Sequence, residues 1–351
     1  ISLVSNAAVI AYLIFFNKYF GIYGLAAAML IGWSLQVFVQ IPALIKKKFR
    51  YTFTLNFKNE GLKDVFTLAL PVLVSSWLQP VCVLVNTIFA SYLQAGSVAA
   101  LELANRLYII IVGVFVFAIT HYIFPSLSKM SGGGDHTGFA EVMNKSLRAM
   151  LAIVAPIMAG MMLLSTEIIT AVYFRGQFDS SSVALTATAL FFYSIGMVCY
   201  GTNEILNTCF YAGKDGKTPM FASAFGILSA VALAFVFTKA IPMGTGGLAL
   251  GASLSSAVVS CVLIYQTHKK TSALLTKELL IFVLKIAACT AVMTIAAAVA
   301  RHIARPYGVW VSLTASALAG AVVYCPLLAV CKAGLNIPFP RGSKETKGAK
   351  K

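Results

Sequence analysis

The chain has 351 residues, of which 59% are hydrophobic and only 11% charged, with 27 Lys and Arg against 11 Asp and Glu. A soluble domain carries roughly 25% charged residues, so this composition excludes a soluble globular fold and predicts an all-α polytopic membrane protein. The excess positive charge is scattered over the loops between apolar runs, which accords with membrane orientation and not with nucleic-acid binding.

Ten apolar runs follow in order, at about 1–16, 24–45, 64–93, 98–125, 142–172, 182–212, 219–240, 246–267, 279–300 and 308–331. Each is of helix length and lacks strand alternation, so each predicts a helix that spans the bilayer rather than a barrel strand. The domain expected is a transmembrane helical bundle over residues 1–331, followed by a basic cytoplasmic tail at 332–351. Ile1 opens in the middle of an apolar run without a signal-peptide charge pattern, so the chain is expected to lack its first helices.

Twenty of the 27 Lys and Arg fall in alternate loops, at 46–63, 126–148, 213–218, 268–278 and 332–351, and five in the other set. Cytoplasmic loops are enriched in these residues, which places the first set and the C-terminus in the cytoplasm. The loop KKKFRYTFTLNFKNEGLK (46–63) interleaves bases with aromatics and suits an anionic headgroup surface. SGGGDHTG (131–138) lacks the ending of a phosphate loop and is expected to be a flexible turn.

Proline falls inside several runs. Pro71 and Pro80 are expected to interrupt the third, whereas Pro156 and Pro326 are expected to serve packing. The seven cysteines sit mostly in apolar runs without metal-ligand spacing and read as small buried hydrophobes. His121 reads as a packed, hydrogen-bonded residue. No catalytic motif and no metal or cofactor signature is present, so neither enzymatic activity nor a cofactor is expected.

The polar residues inside the runs carry the functional expectation. Ser75, Ser76, Gln79 and Asn86 lie on the third run, Glu102, Asn105 and Arg106 on the fourth, and Asn203, Glu204 and Asn207 on the sixth. Polar groups on neighbouring spans read as a hydrated interior, although serine and amide side chains equally serve as glue between helices. A charge against lipid costs at least about 2.5–3.5 kcal/mol on insertion scales, so the face bearing Glu102 and Arg106 is expected to look at a cavity or another helix. A guanidinium grips phosphate in bidentate fashion, and Arg106 therefore points to a phosphate-bearing lipid. The candidate substrate-binding set is Arg106, Glu102, Asn105, Gln79, Ser76, Asn86 and Glu204.

Several collinear stretches carry a resemblance: GIYGLAAAMLIGWSLQVFVQIPAL (21–44), AGSVAALELANRL (95–107), FAITHYIFPSLSKM (117–130), YFRGQFD (173–179), FYAGKDGKTP (210–219) and GGLALGASLS (246–255). Together they are similar to the MurJ/MviN lipid II flippases of the multidrug/oligosaccharidyl-lipid/polysaccharide exporter superfamily. The resemblance implies a fourteen-helix exporter-type fold, of which this chain would hold roughly the fifth to the fourteenth helix. It also implies movement of undecaprenyl-pyrophosphate-linked disaccharide-pentapeptide (lipid II) across the bacterial inner membrane, with membrane lipids and cell-wall synthesis enzymes as further partners.

The family's cavity arginine falls on Arg106. The chain departs from the family pattern at Asn86 and Ile109, where acids are usual, and at Glu204, where a base is frequent. It also has Val231 and Ala234 where polar residues are expected. These departures remove the residues thought to hold sodium in some members, so no metal is expected. A related polysaccharide-lipid or drug exporter, or a transport-inactive scaffold for cell-wall enzymes, are the alternatives to a flippase.

Overall fold

The computed structural model describes residues 2–46, 60–271 and 277–330. The basic aromatic loop after Lys46 and the tail at 332–351 lie almost entirely or wholly outside these residues. Among the described residues all regular structure is helical.

Two compact units are distinguished, residues 1–62 and 63–351. In the first, α1 (Ser2–Phe15) and α2 (Asn17–Lys46) form a helical hairpin. The Tyr12 hydroxyl donates to the Gly21 carbonyl at 2.7 Å, and the Gln36 amide donates to the Ser5 hydroxyl at 2.7 Å. Gly21 has φ of 53°, a conformation that costs glycine little, and it marks a kink inside α2. Gly32 lets the two backbones meet, since a Cβ there would lie 3.1 Å from the Ser5 carbonyl oxygen.

The second unit contains α3 (Glu60–Ser76), α4 (Leu78–Ala90), α5 (Ser97–Gly132), α6 (His136–Leu163), α7 (Ser165–Tyr173), α8 (Ser180–Ile195), α9 (Met197–Ala212), α10 (Lys217–Phe235), α11 (Gly244–Thr271), α12 (Lys277–Ala304) and α13 (Val309–Val330). Helix α5 packs on α4, α6, α8, α9 and α11. It brings Leu101, Tyr108, Val112, Val116, Ile123 and Leu127 into the largest buried apolar cluster. Large apolar side chains such as Leu70, Ile110, Phe221, Leu284 and Leu318 remain more than half exposed. Such a surface suits hydrocarbon as its solvent.

Eight described stretches are long and apolar enough to cross a membrane, seven of them single helices and one, Ala69–Ala90, running from α3 into α4, or nine when α8 and α9 count as one bent span. They account for nine of the ten apolar runs. The exception is α1, whose 14 residues extend only about 21 Å, short of the roughly 30 Å hydrocarbon core.

Two interruptions have local causes. Pro80 has no amide hydrogen for the Ser76 carbonyl and crowds it, and the third run opens at Trp77, between α3 and α4. Pro71, by contrast, sits inside an unbroken α3. The sixth run bends by 47° at Gly196. There the Gly196 amide bonds back to Tyr193 at 3.0 Å, leaving the Phe192 carbonyl to accept the Ser253 hydroxyl of α11 at 2.7 Å. A Cβ on Gly196 would lie 2.9 Å from the Ser253 Cα, so only glycine permits this approach. Lipid tails are as apolar as leucine and give no hydrophobic drive between helices, so close packing and hydrogen bonds of this kind hold the spans together.

The glycine-rich segment 131–138 is an ordered turn. Asp135 N–H donates to Met130 O at 3.1 Å around Gly134 (φ 73°), and the Asp135 carboxylate then accepts Gly138 N–H at 2.9 Å to cap α6. The block FYAGKDGKTP repeats this device between α9 and α10. Asp215 N–H donates to Phe210 O at 2.9 Å around Lys214 (φ 57°), and the Asp215 carboxylate accepts Thr218 N–H at 3.1 Å.

Candidate functional site

The helix breaks at Trp77 and Gly196 border one polar hollow of about 170 Å³, enclosed by α3, α4, α5, α8, α9 and α11. By volume it admits about ten waters. The α3–α4 segment contributes Ser75, Ser76, Gln79, Cys82 and Asn86, the spacing expected of one helical face. Helix α5 contributes Asn105 and Tyr108, α8 Tyr193, α9 Tyr200, Glu204, Asn207 and Tyr211, and α11 Ser253 and Ser256.

Several of these polar groups tie the walls together. The Asn86 amide donates to the Tyr193 hydroxyl at 3.1 Å, and the Ser75 and Tyr211 hydroxyls meet at 2.5 Å. Asn203 serves packing: it donates to Ser256 O at 3.0 Å, and its carbonyl accepts the Ser260 hydroxyl at 2.7 Å, fastening α9 to α11. The Tyr108 ring lies 5.7 Å from that of Tyr193 and 5.9 Å from that of Tyr200, forming an aromatic floor.

Five of the seven candidate residues, Ser76, Gln79, Asn86, Asn105 and Glu204, line this hollow. Glu102 and Arg106 do not. Their side chains are 56% and 67% exposed, and Arg106 Nη2 donates to Glu102 Oε1 at 2.6 Å. The reason is helical geometry, because Arg106 stands about 100° round α5 from Asn105 and about 160° from Tyr108. The expectation of a basic cavity is therefore corrected: among the described residues the lining contains one acid, Glu204, and no Lys, Arg or His.

Glu204 also walls a second, more open crevice with Phe117, Thr120, His121 and Phe124. His121 is exposed there beside Phe117, with rings 6.4 Å apart, and not packed in the interior as expected. Among the described cysteines none forms a disulfide, and Cys261 and Cys325 are exposed, not buried. The sequence reading missed the tyrosines. Their signal was present, since Tyr193, Tyr200 and Tyr211 are spaced by seven and eleven residues, which keeps them near one helical face with Glu204 and Asn207.

Comparison with known proteins identifies the family and the fold. A family model described as lipid II flippase MurJ matches residues 2–318. A probable lipid II flippase MurJ of Vibrio cholerae is 30% identical over 271 residues, covering 77% of this chain and 51% of that protein. One from Buchnera aphidicola subsp. Acyrthosiphon pisum is 28% identical over 303 residues, covering 85% and 58%. The chain thus spans about half to three-fifths of the length of these curated relatives. Among solved structures, a lipid II flippase MurJ in an inward-closed conformation superposes with a TM-score of 0.73 at 24% identity, over 95% of this chain and 67% of that one. A MATE structure in the straight conformation superposes at 0.52 with 17% identity, over 77% and 65%. At these identities the structural likenesses establish the fold.

Proposed function

The chain belongs to the lipid II flippase MurJ family, and from that membership we propose that it serves transport, not catalysis. It moves the undecaprenyl-pyrophosphate-linked peptidoglycan precursor from the inner to the outer leaflet of the bacterial cytoplasmic membrane, with its C-terminus in the cytoplasm as the loop charges indicate. The observation that carries this reading is a polar hollow set among membrane-length helices and bordered by two helix breaks. A polar headgroup needs such a wet interior to cross hydrocarbon, and broken helices are where neighbouring segments can rock.

In this scheme Ser76, Gln79, Asn86, Asn105 and Glu204 receive the polar headgroup, and Arg106 takes the pyrophosphate. Its bond to Glu102 occupies one of five N–H donors. An exposed pair of this kind contributes only about 0.2–1 kcal/mol, so a phosphate exchanges for the carboxylate at little cost. Cell-wall synthesis enzymes are the protein partners this role would bring near.

Purified protein in vesicles should translocate lipid II, and Arg106→Ala should abolish that movement. Vesicles in which the wild-type protein inserts but moves no lipid II would instead favour a transport-inactive scaffold. Movement of other lipid-linked sugars at equal rate would favour a broader exporter.

A further inference from the structure

We infer that the hollow holds an ammonium group of the transported headgroup, with Glu204 as its counter-charge, while the phosphate stays outside it. This rests on the transport reading and names the chemistry of one part of the ligand.

The other carboxylates whose side chains are described are occupied. Among acids whose side chains are described, Glu102, Glu141, Glu167, Asp215 and Glu278 each pair with a cation. Asp135 and Asp179 cap helices α6 and α8 through backbone amides. Glu204 alone among them has neither a cationic partner nor a helix end to cap; its side-chain partner is the Tyr200 hydroxyl, a neutral donor that leaves the charge uncompensated. It faces a hollow whose lining, among the described residues, carries no base.

A second acceptor stands beside it. Asn207 Oδ1, three residues further along α9 and thus near the same face, is buried without a hydrogen-bond partner and also lines the hollow. An unsatisfied buried acceptor calls for a donor-rich guest. The rings of Tyr108, Tyr193 and Tyr200 line the same hollow, and aromatic rings of this kind attract cations. Carboxylate, amide carbonyl and tyrosine rings together describe a site for an alkylammonium. They repel a phosphate, since like charges close together in a poorly hydrated site are costly.

The test compares two sugars of one ring size, glucosamine with its ammonium and N-acetylglucosamine without it, against inorganic pyrophosphate at matched ionic strength. Binding is read as thermal shift and titration calorimetry on the purified full chain in detergent. Glucosamine should bind about tenfold more tightly than N-acetylglucosamine, as expected for a charge-assisted over a neutral hydrogen bond. Glu204→Gln should erase the difference. Should that variant fail to fold, Asn207→Asp, which adds a carboxylate, should widen it.

Equal binding of the two sugars would overturn the inference, as would a preference that survives Glu204→Gln or is unmoved by Asn207→Asp. So would pyrophosphate competing for the same site. An ammonium preference in a protein that moves no lipid II would remove the transport reading and leave this site standing. Translocation without any ammonium preference would do the reverse.

Discussion

The Arg106 guanidinium donates to the Glu102 carboxylate across one turn of α5 at 2.6 Å, while Asn105 beside it in sequence faces the polar hollow. One helix thus separates its charges from its amide by direction alone. Because the pair is more than half exposed, Arg106→Ala should lower stability by less than about 1 kcal/mol. A thermal melt of the variant in detergent should overlay the wild type, so that any loss of cell-wall support in a complementation strain reports on function. A large drop in melting temperature would show that Arg106 is structural.

The carboxyl of Asp215 is pushed up by partial burial, but the Lys270 ammonium and the Thr218 hydroxyl and amide overcome this and hold it below its ordinary 3.8. A depressed folded-state value means that the stabilisation is present above the unfolded value of about 3.9 and is lost as pH falls through the folded value. Asp215→Asn should therefore melt lower than the wild type at pH 7, by about 0.5–2 kcal/mol for a helix-capping ion pair, and the gap should close below about pH 4. Melting curves from pH 7 down to pH 3 check this.

Lys214 occupies the left-handed position that Gly134 fills in the matching turn after α5, at φ of 57° against 73°. A side chain there costs roughly 1 kcal/mol relative to glycine. Lys214→Gly should accordingly raise stability by up to about 1 kcal/mol, and Gly134→Ala should lower it by a similar amount. Opposite signs in paired thermal or denaturant melts are the expected result.

Arg301 Nε donates to Glu167 Oε1 at 2.6 Å, joining α12 to α7. Glu167 is 8% exposed and its second oxygen has no partner. Arg301→Ala strands that carboxylate and should cost about 2 kcal/mol, whereas the double change with Glu167→Ala should recover part of the loss. Additive losses in the double-mutant cycle would show that the two side chains do not act as a pair.

The helical spans, their approximate ends and the loop charges were legible from the chain alone, because hydrocarbon demands about 20 apolar residues with every backbone group bonded internally. The shared face of Ser75, Gln79 and Asn86 was legible for the same kind of reason, helical periodicity. Spacing does not reveal which way a face points, and here only the tertiary structure decided it. The packing of α5 against α8, α9 and α11 turned Asn105 and Tyr108 inward and left Arg106 outside, a difference of about 100° per residue that no run of apolar letters encodes. The bend at Gly196, which sets Tyr193 and Glu204 around one hollow, likewise depends on Ser253, 57 positions further along the chain, taking up the Phe192 carbonyl.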